Sequence, residues 1–221
     1  MPSITVENYL KRLYSLQHRA EAGRLVLMGD LAAAMGVTPG TATTMVKTLD
    51  ESGLVRYEPR TGVRLSAAGE KLALHVLRRH RLIELFLVSV LGLDWSEVHE
   101  EAEELEHAIS DKLLEKIDAM LGRPTADPHG DPIPSRKGRL PAAALTPLAH
   151  CNAGQRVTIA RLSDEDPRFL QFADRHNLRP GTMVRITARD DDADALTLEA
   201  SANAPITLGL GAATRILVQP A

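Results

Sequence analysis

The stretch SEVHEEAEELEH, residues 96–107, holds six glutamates and two histidines in twelve positions. Carboxylates and imidazoles are the side chains that bind divalent cations. Glu103, Glu106 and His107 stand at i, i+3 and i+4, and His99 lies four residues before Glu103. On a helix those offsets place all four side chains on one face. His80 and Glu84, four apart in an earlier Leu- and Ile-rich segment, repeat the pattern. Two antiparallel helices that each show a His/Glu stripe can close around a divalent ion, as in carboxylate-bridged bundle sites. The competing reading is a solvated acidic face with incidental histidines. Like charges stacked at helical spacing repel, and a bound cation removes that repulsion. Spacing alone leaves these two readings level. A metal hydrolase is a third reading; it needs an open coordination position and a poised base. The chain has no HExxH or comparable motif, so no enzyme is expected.

The elements that must position these residues follow from periodicity and turn signals. Leu10, Leu13, Tyr14 and Leu16 give a first helix over residues 6–19, and LMGDLAAAM a second over 27–35. Thr38 is a good N-cap with Pro39 at the first helical position, so a third helix runs to about Ser52, with Met45, Val46 and Leu49 facing in. LVRYE and VRLS read as two short strands about the turn PRTG. Helix–turn–helix followed by a hairpin is the winged helix-turn-helix arrangement, and its third helix would lie in the major groove. Thr38, Thr41, Thr43 and Thr44, with Pro39 and Gly40 in the same first turn, would face base edges and phosphates. Lys47, Arg56, Arg60 and Arg64 would reach phosphates. Ser66 caps a long helix over about 67–91, and a fifth is expected over about 96–121. These two apolar-striped helices make a natural dimer interface, which would present two recognition helices to palindromic promoter DNA.

Residues 123–150 carry six of the thirteen prolines and read as a link, in which DPHGDPIP sets a histidine and two aspartates among rigid turns. QRVTIARL, TMVRITARD, ALTLEAS and TRILVQ then read as strands and PRFLQFADRH as a helix, a small β-barrel of about seventy residues. The expected class is mainly α with a β-containing C-terminal domain. The expected divisions are 1–72, a winged helix-turn-helix domain; 73–140, a helical metal-binding and dimerisation domain; 141–151, a linker; and 152–221, an SH3-like domain.

Composition fits this division. No apolar run reaches eighteen residues, so no membrane span or membrane partner is expected, and the N-terminus lacks signal-peptide order. The single Cys151 excludes an internal disulfide and suits a reducing cytoplasm. Net charge is only −3, yet residues 1–80 hold 11 Lys and Arg against 7 Asp and Glu, whereas residues 81–122 hold 3 against 11. A basic front and an acidic middle imply one anionic and one cationic partner.

The segments TVENYLKRLYSL, SGLVRYEPRTGVRLSAAG, RRHRLIELFLVSVLGLDWSEVHEEAEELEH and PHGDPIP together resemble the DtxR/MntR family of metal-dependent repressors, which includes the diphtheria toxin repressor, iron-dependent regulators and manganese transport regulators. The C-terminal barrel resembles the SH3-like, FeoA-type third domain of its longer members. The resemblance implies a primary metal site of Asn8, Glu103, Glu106 and His107. It implies an ancillary site of His80, Glu84 and His99, with Glu165 from the barrel and Asp127 and His129 from PHGDPIP. Arg168 falls where some members have a Gln ligand, and Lys11 where short manganese regulators have a ligand Glu, so separate primary and ancillary sites are expected. This set has oxygen and imidazole donors and no thiolate or thioether, which suits Mn²⁺. Fe²⁺ is the alternative, and Zn²⁺, Co²⁺ or Cd²⁺ would substitute in vitro. The expected function is a Mn²⁺-activated, homodimeric, cytoplasmic repressor of metal-homeostasis genes, with no protein substrate. The alternatives are an Fe²⁺-responsive member and a winged-helix regulator that senses an organic ligand through an apolar pocket.

Overall fold

The computed structural model describes residues 3–19, 23–141, 144–163, 166–200 and 204–221. The chain forms two compact units, Met1–Arg79 with Pro134–Arg139, and His80–Ile133 with Leu140–Ala221. No helix among the described residues is long and apolar enough to cross a membrane.

The first unit is the expected winged helix-turn-helix. Helix α1 spans Ile4–Arg19, α2 Met28–Ala34 and α3 Pro39–Glu51. Thr38 caps α3 by accepting from the Thr41 amide, with Pro39 in the first turn. Strands β1 (Val55–Glu58) and β2 (Gly62–Leu65) pair antiparallel. Leu10 and Leu13 of α1, Leu31 of α2, Val46 and Leu49 of α3, and Val55 and Val63 of the hairpin are buried. Met45, expected to face inward, is only half-buried. Helix α4 (Ala67–Ser89) begins in this unit and continues into the second.

The expected fifth helix is two helices. Helix α5 spans Val98–Leu105 and α6 Asp111–Met120. Ser110 is the cause: its backbone is extended and its hydroxyl accepts from the Leu113 amide, which starts a new helix rather than continuing the old one. Ile83 and Leu87 of α4 pack with Val98 and Ala102 of α5. Leu82 of α4 packs with Leu114 of α6 and Ile133 of the proline-rich segment.

The rest of this unit is a six-stranded antiparallel sheet in the order β3-β8-β4-β5-β6-β7. Its strands are β3 (Thr146–Pro147), β4 (Arg156–Leu162), β5 (Met183–Asp190), β6 (Ala195–Ala200), β7 (Ile206–Gly209) and β8 (Ile216–Pro220). Helix α7 (Pro167–Arg175) covers its core with Phe169 and Leu170, and α8 (Leu210–Ala213) is a single turn. The short β3 and β7 were not legible as strands: β3 is two residues ending in Pro147, and β7 is four residues ending in Gly209. Trp95, between α4 and α5, is buried in the same core as the sheet, so the helices and the sheet of this unit share a hydrophobic interior.

Candidate metal centre

The loop 126–132 of the second unit has no helix or strand yet is fixed by several hydrogen bonds. Asp127 accepts from the amides of His129 and Asp131, both at 2.9 Å, and a bridge between Ala126 and Pro132 closes the loop. Gly130 has φ +87°, and a Cβ there would stand 2.1 Å from the Ala160 carbonyl of β4, so only glycine fits. Leu162 donates to the His129 carbonyl at 2.9 Å, which docks the loop on the sheet. From α4, Arg81 donates to the Pro132 carbonyl at 2.6 Å, pairs with Asp131 at 3.1 Å, and lies 3.6 Å from Asp127. Arg161 of β4 pairs with Asp131 at 3.0 Å. Arg81, Asp131 and Arg161 were not found by sequence reasoning. Their role depends on long-range contacts that no local spacing reveals.

Against this loop and α5, α4 presents His80 and Glu84. His80 Nε2, His99 Nδ1 and Glu84 Oε1 form a triangle with edges of 3.0, 3.0 and 3.1 Å. Neighbouring ligands of an octahedral ion with bonds of about 2.2 Å lie about 3.1 Å apart, so the triangle matches one face of such a shell. His80 Nδ1 also faces Glu106 Oε2 at 2.7 Å, so the His80 ring bridges the buried carboxylates Glu84 and Glu106. The other Glu106 oxygen is 3.2 Å from His107 Nε2, and Glu106 is fully buried at the C-cap of α5. Glu103 lies 3.5 Å from His99 Nε2.

The predicted residues of this unit therefore form two clusters with possible ligand atoms within 4.8 Å: His80, His99 and Glu103, and Glu84, Asp127 and His129. Glu103, assigned from the resemblance to the Glu106/His107 set, lies with the histidines of the other set, while Glu106 is joined to both His80 and His107. His129 Nε2 is 2.7 Å from the Trp95 carbonyl, a bond that places the proton on Nε2 and leaves the Nδ1 lone pair for a ligand. Burial pushes the Glu84 carboxyl upward, but the His80 charge, hydrogen bonds from His80 and His99, and His129 outweigh it and hold Glu84 well below the usual carboxylate range. Asp127 is displaced the other way: burial, then repulsion from Asp131 and Glu84, holds its carboxyl well above that range despite Arg81. A cavity of about 480 Å³ beside His99 is lined by Asp94, Glu97, Glu100 and Glu101, with Pro167 of α7. Glu165 lies outside the described residues; Arg168 is exposed in the first turn of α7. Asn8, in the first unit, is half-buried on α1.

The predicted DNA residues are all in the first unit. Thr38, Pro39, Gly40, Thr41, Thr44 and Lys47 are exposed, and Thr43 is half-buried. Thr43 and Thr44 donate to the carbonyls of Pro39 and Gly40, at 2.7 and 3.1 Å. Arg56 and Arg64 are exposed cross-strand partners in the hairpin, and Arg60 sits at its tip with φ +68°. Like charges directly opposite on a hairpin are unfavourable without an anion.

Three family models match the chain. Residues 1–63 match the "iron dependent repressor, N-terminal DNA binding domain", residues 66–135 the "iron dependent repressor, metal binding and dimerisation domain", and residues 146–220 the FeoA domain. The iron-dependent repressor IdeR of Mycobacterium tuberculosis is 36% identical over 130 residues, 59% of this chain and 55% of that protein. The chain thus spans about half the length of such curated relatives. The diphtheria toxin repressor of Corynebacterium jeikeium is 30% identical over 210 residues, covering 85% of this chain and 86% of that one. Among solved structures, a manganese-dependent transcriptional repressor in complex with manganese superposes with TM-score 0.88 at 38% identity, covering 98% of this chain and 100% of that one. ScaR with bound Cd²⁺ superposes with TM-score 0.80 at 33% identity over the whole of both chains.

Proposed function

Because this chain belongs to the iron-dependent repressor family, we propose that it is a Mn²⁺-activated, homodimeric DNA-binding repressor of metal-homeostasis genes. The observation that carries this reading is the triangle of buried His80 and Glu84 with half-buried His99, with Glu103 and Glu106 beside it, in a chain that also has a winged helix-turn-helix. The donors are imidazole and carboxylate only, which suits Mn²⁺. Fe²⁺ is the second reading, favoured by curated relatives that are iron-dependent repressors. Zn²⁺, Co²⁺ and Cd²⁺ fit the same donors in vitro. An organic effector is disfavoured, because the cavity next to His99 is lined by four carboxylates. The family is one of transcriptional repressors, not enzymes, and a DNA-binding role implies the cytoplasm.

The ligand assignments rest on the resemblance: Glu103, Glu106 and His107 are assigned to the primary ion, and His80, Glu84, His99, Asp127 and His129 to the ancillary one, with Glu103 close enough to His80 and His99 to serve either. A bound divalent ion would supply positive charge to these carboxylates. Glu106 orients both His80 and His107, so it links the two sets. Activation requires only that the DNA-competent form of the dimer hold metal more tightly than other forms do. Leu105 of α5 and Leu113 and Met120 of α6 are exposed, and they suit the dimer interface.

The wing gives the direct test of the DNA assignment. Arg56→Ala and Arg64→Ala should each weaken binding of the Mn²⁺-loaded protein to its promoter DNA about tenfold at moderate salt. Neither should lower the melting temperature, since each removes one of two facing like charges. Unchanged DNA affinity in both variants would take the wing out of the interface.

A further inference from the structure

The segment Pro134–Arg139, PSRKGR, leaves the proline-rich loop and joins the winged unit. The buried Arg78 of α4 donates to the Pro134 carbonyl at 2.8 Å and anchors its start. Ser135 donates through its amide to the Arg139 carbonyl at 2.9 Å, and its hydroxyl accepts from the Arg139 amide at 3.0 Å. Gly138, at φ +68°, donates to the Ser135 carbonyl and lies against Leu74. The result is a closed turn with Arg136 and Lys137 exposed at its tip. Beside it on α4, Lys71 and His75 are exposed one helical turn apart. Between turn and helix is a cavity of about 240 Å³, lined by Lys71, His75, Ser135 and Arg136 over a floor of Ala68 and Leu72. No carboxylate among the described residues lines it.

We propose that this cavity is a phosphate-binding site that holds the DNA backbone outside the bases read by α3. Three observations support it. The cations converge from two separate elements, and Arg78 together with the Ser135–Arg139 bonds fixes the turn that carries one of them. A hydroxyl, Ser135, stands among them, as phosphate contacts require. The charge of the whole unit rises with the segment: residues 1–79 hold 11 Lys and Arg against 7 Asp and Glu, and residues 134–139 add three cations and no acid. An excess of this kind suits an extended polyanion. The DNA partner rests on the function proposed above.

The test uses full-length Mn²⁺-loaded protein and a Lys71→Gln/Arg136→Gln double variant, which keeps side-chain bulk and alters only exposed residues. Fluorescence anisotropy on promoter DNA and on unrelated DNA is measured across a salt series. The variant should bind both DNAs about tenfold more weakly near 0.1 M salt, and its log–log salt slope should be shallower by about two, because a phosphate contact contributes roughly 0.9 to the slope. A wild type that binds while the variant keeps its affinity and slope overturns this inference and leaves the function intact. A wild type that binds no DNA with Mn²⁺ overturns the function, and with it the DNA partner of this site. Calorimetric titration with inorganic phosphate separates the remaining case: phosphate binding lost in the variant with DNA affinity unchanged assigns the cavity to a free anion and overturns the DNA assignment.

Discussion

Glu106→Ala is expected to abolish metal-stimulated DNA binding and to weaken Mn²⁺ binding by on the order of 100-fold or more, since even residues that only orient metal ligands are worth 10–100-fold. Glu106 is fully buried, and its two oxygens meet His80 at 2.7 Å and His107 at 3.2 Å. The variant therefore removes one proposed ligand and frees two others. It also takes one buried partner from each of the two rings, and a buried ion pair that loses one partner costs about 3–5 kcal/mol. Glu106→Gln separates the two effects. The amide keeps the volume and one acceptor, so the fold should hold, while the loss of charge should still remove metal response. Calorimetry with Mn²⁺ and circular dichroism on both variants read the two quantities. A Glu106→Gln protein that keeps wild-type metal affinity would remove Glu106 from the ligand set.

The second large effect is on pH. Metal binding requires ionised carboxylates and neutral imidazoles, so it must release any protons the donors hold. Asp127 holds its proton well into the range where carboxyls are ordinarily ionised, because burial and the nearby Asp131 and Glu84 disfavour its charge. Glu84 is ionised throughout, because His80, His99 and His129 stabilise its charge beyond the opposing effect of burial. His80 has a carboxylate oxygen within 3.0 Å of each ring nitrogen. Mn²⁺ affinity should therefore climb about tenfold or more per pH unit between about pH 5 and 7, where imidazole also titrates. Calorimetry in buffers of different ionisation enthalpy counts the released protons directly; a count of zero would contradict the assignment of Asp127. Folding stability follows the same signs. Glu84, with its folded pKa lowered, contributes stability above the ordinary carboxyl range that is lost as pH falls. Asp127, with its folded pKa raised, contributes stability only at low pH, and that contribution is lost as pH rises. A cation next to Asp127 offsets that loss, so the stabilisation gained from Mn²⁺ should grow with pH.

Much of this was legible because the winged unit and α4 are locally determined. Thr38 and Pro39 start α3, PRTG turns the hairpin, and Ser66 begins α4, each through contacts with near neighbours in sequence. His80, Glu84, His99 and Glu103 were found by helical spacing, which the structure keeps within α4 and α5. The break at Ser110 was hidden because a serine inside an apolar-periodic stretch is compatible with either one helix or two. Asp127 and His129 came from the resemblance, since their neighbours Trp95 and Glu84 lie more than thirty residues away in sequence. Arg81 and Arg161 fix that loop through its carbonyl and Asp131, and neither arginine carries a local sign of such partners in the sequence. The regrouping of Glu103 toward His99 and His80 depends on how α4 meets α5, which spacing along one helix does not determine.

The most direct test of the central claim is fluorescence anisotropy of purified, chelator-stripped protein on its own promoter DNA at fixed salt, with Mn²⁺, with anaerobic Fe²⁺, and with buffer alone. Tight binding that appears with Mn²⁺ and is reversed by chelator is the predicted result. Tight binding that is indifferent to metal would return the acidic helix to a solvated surface and contradict the account.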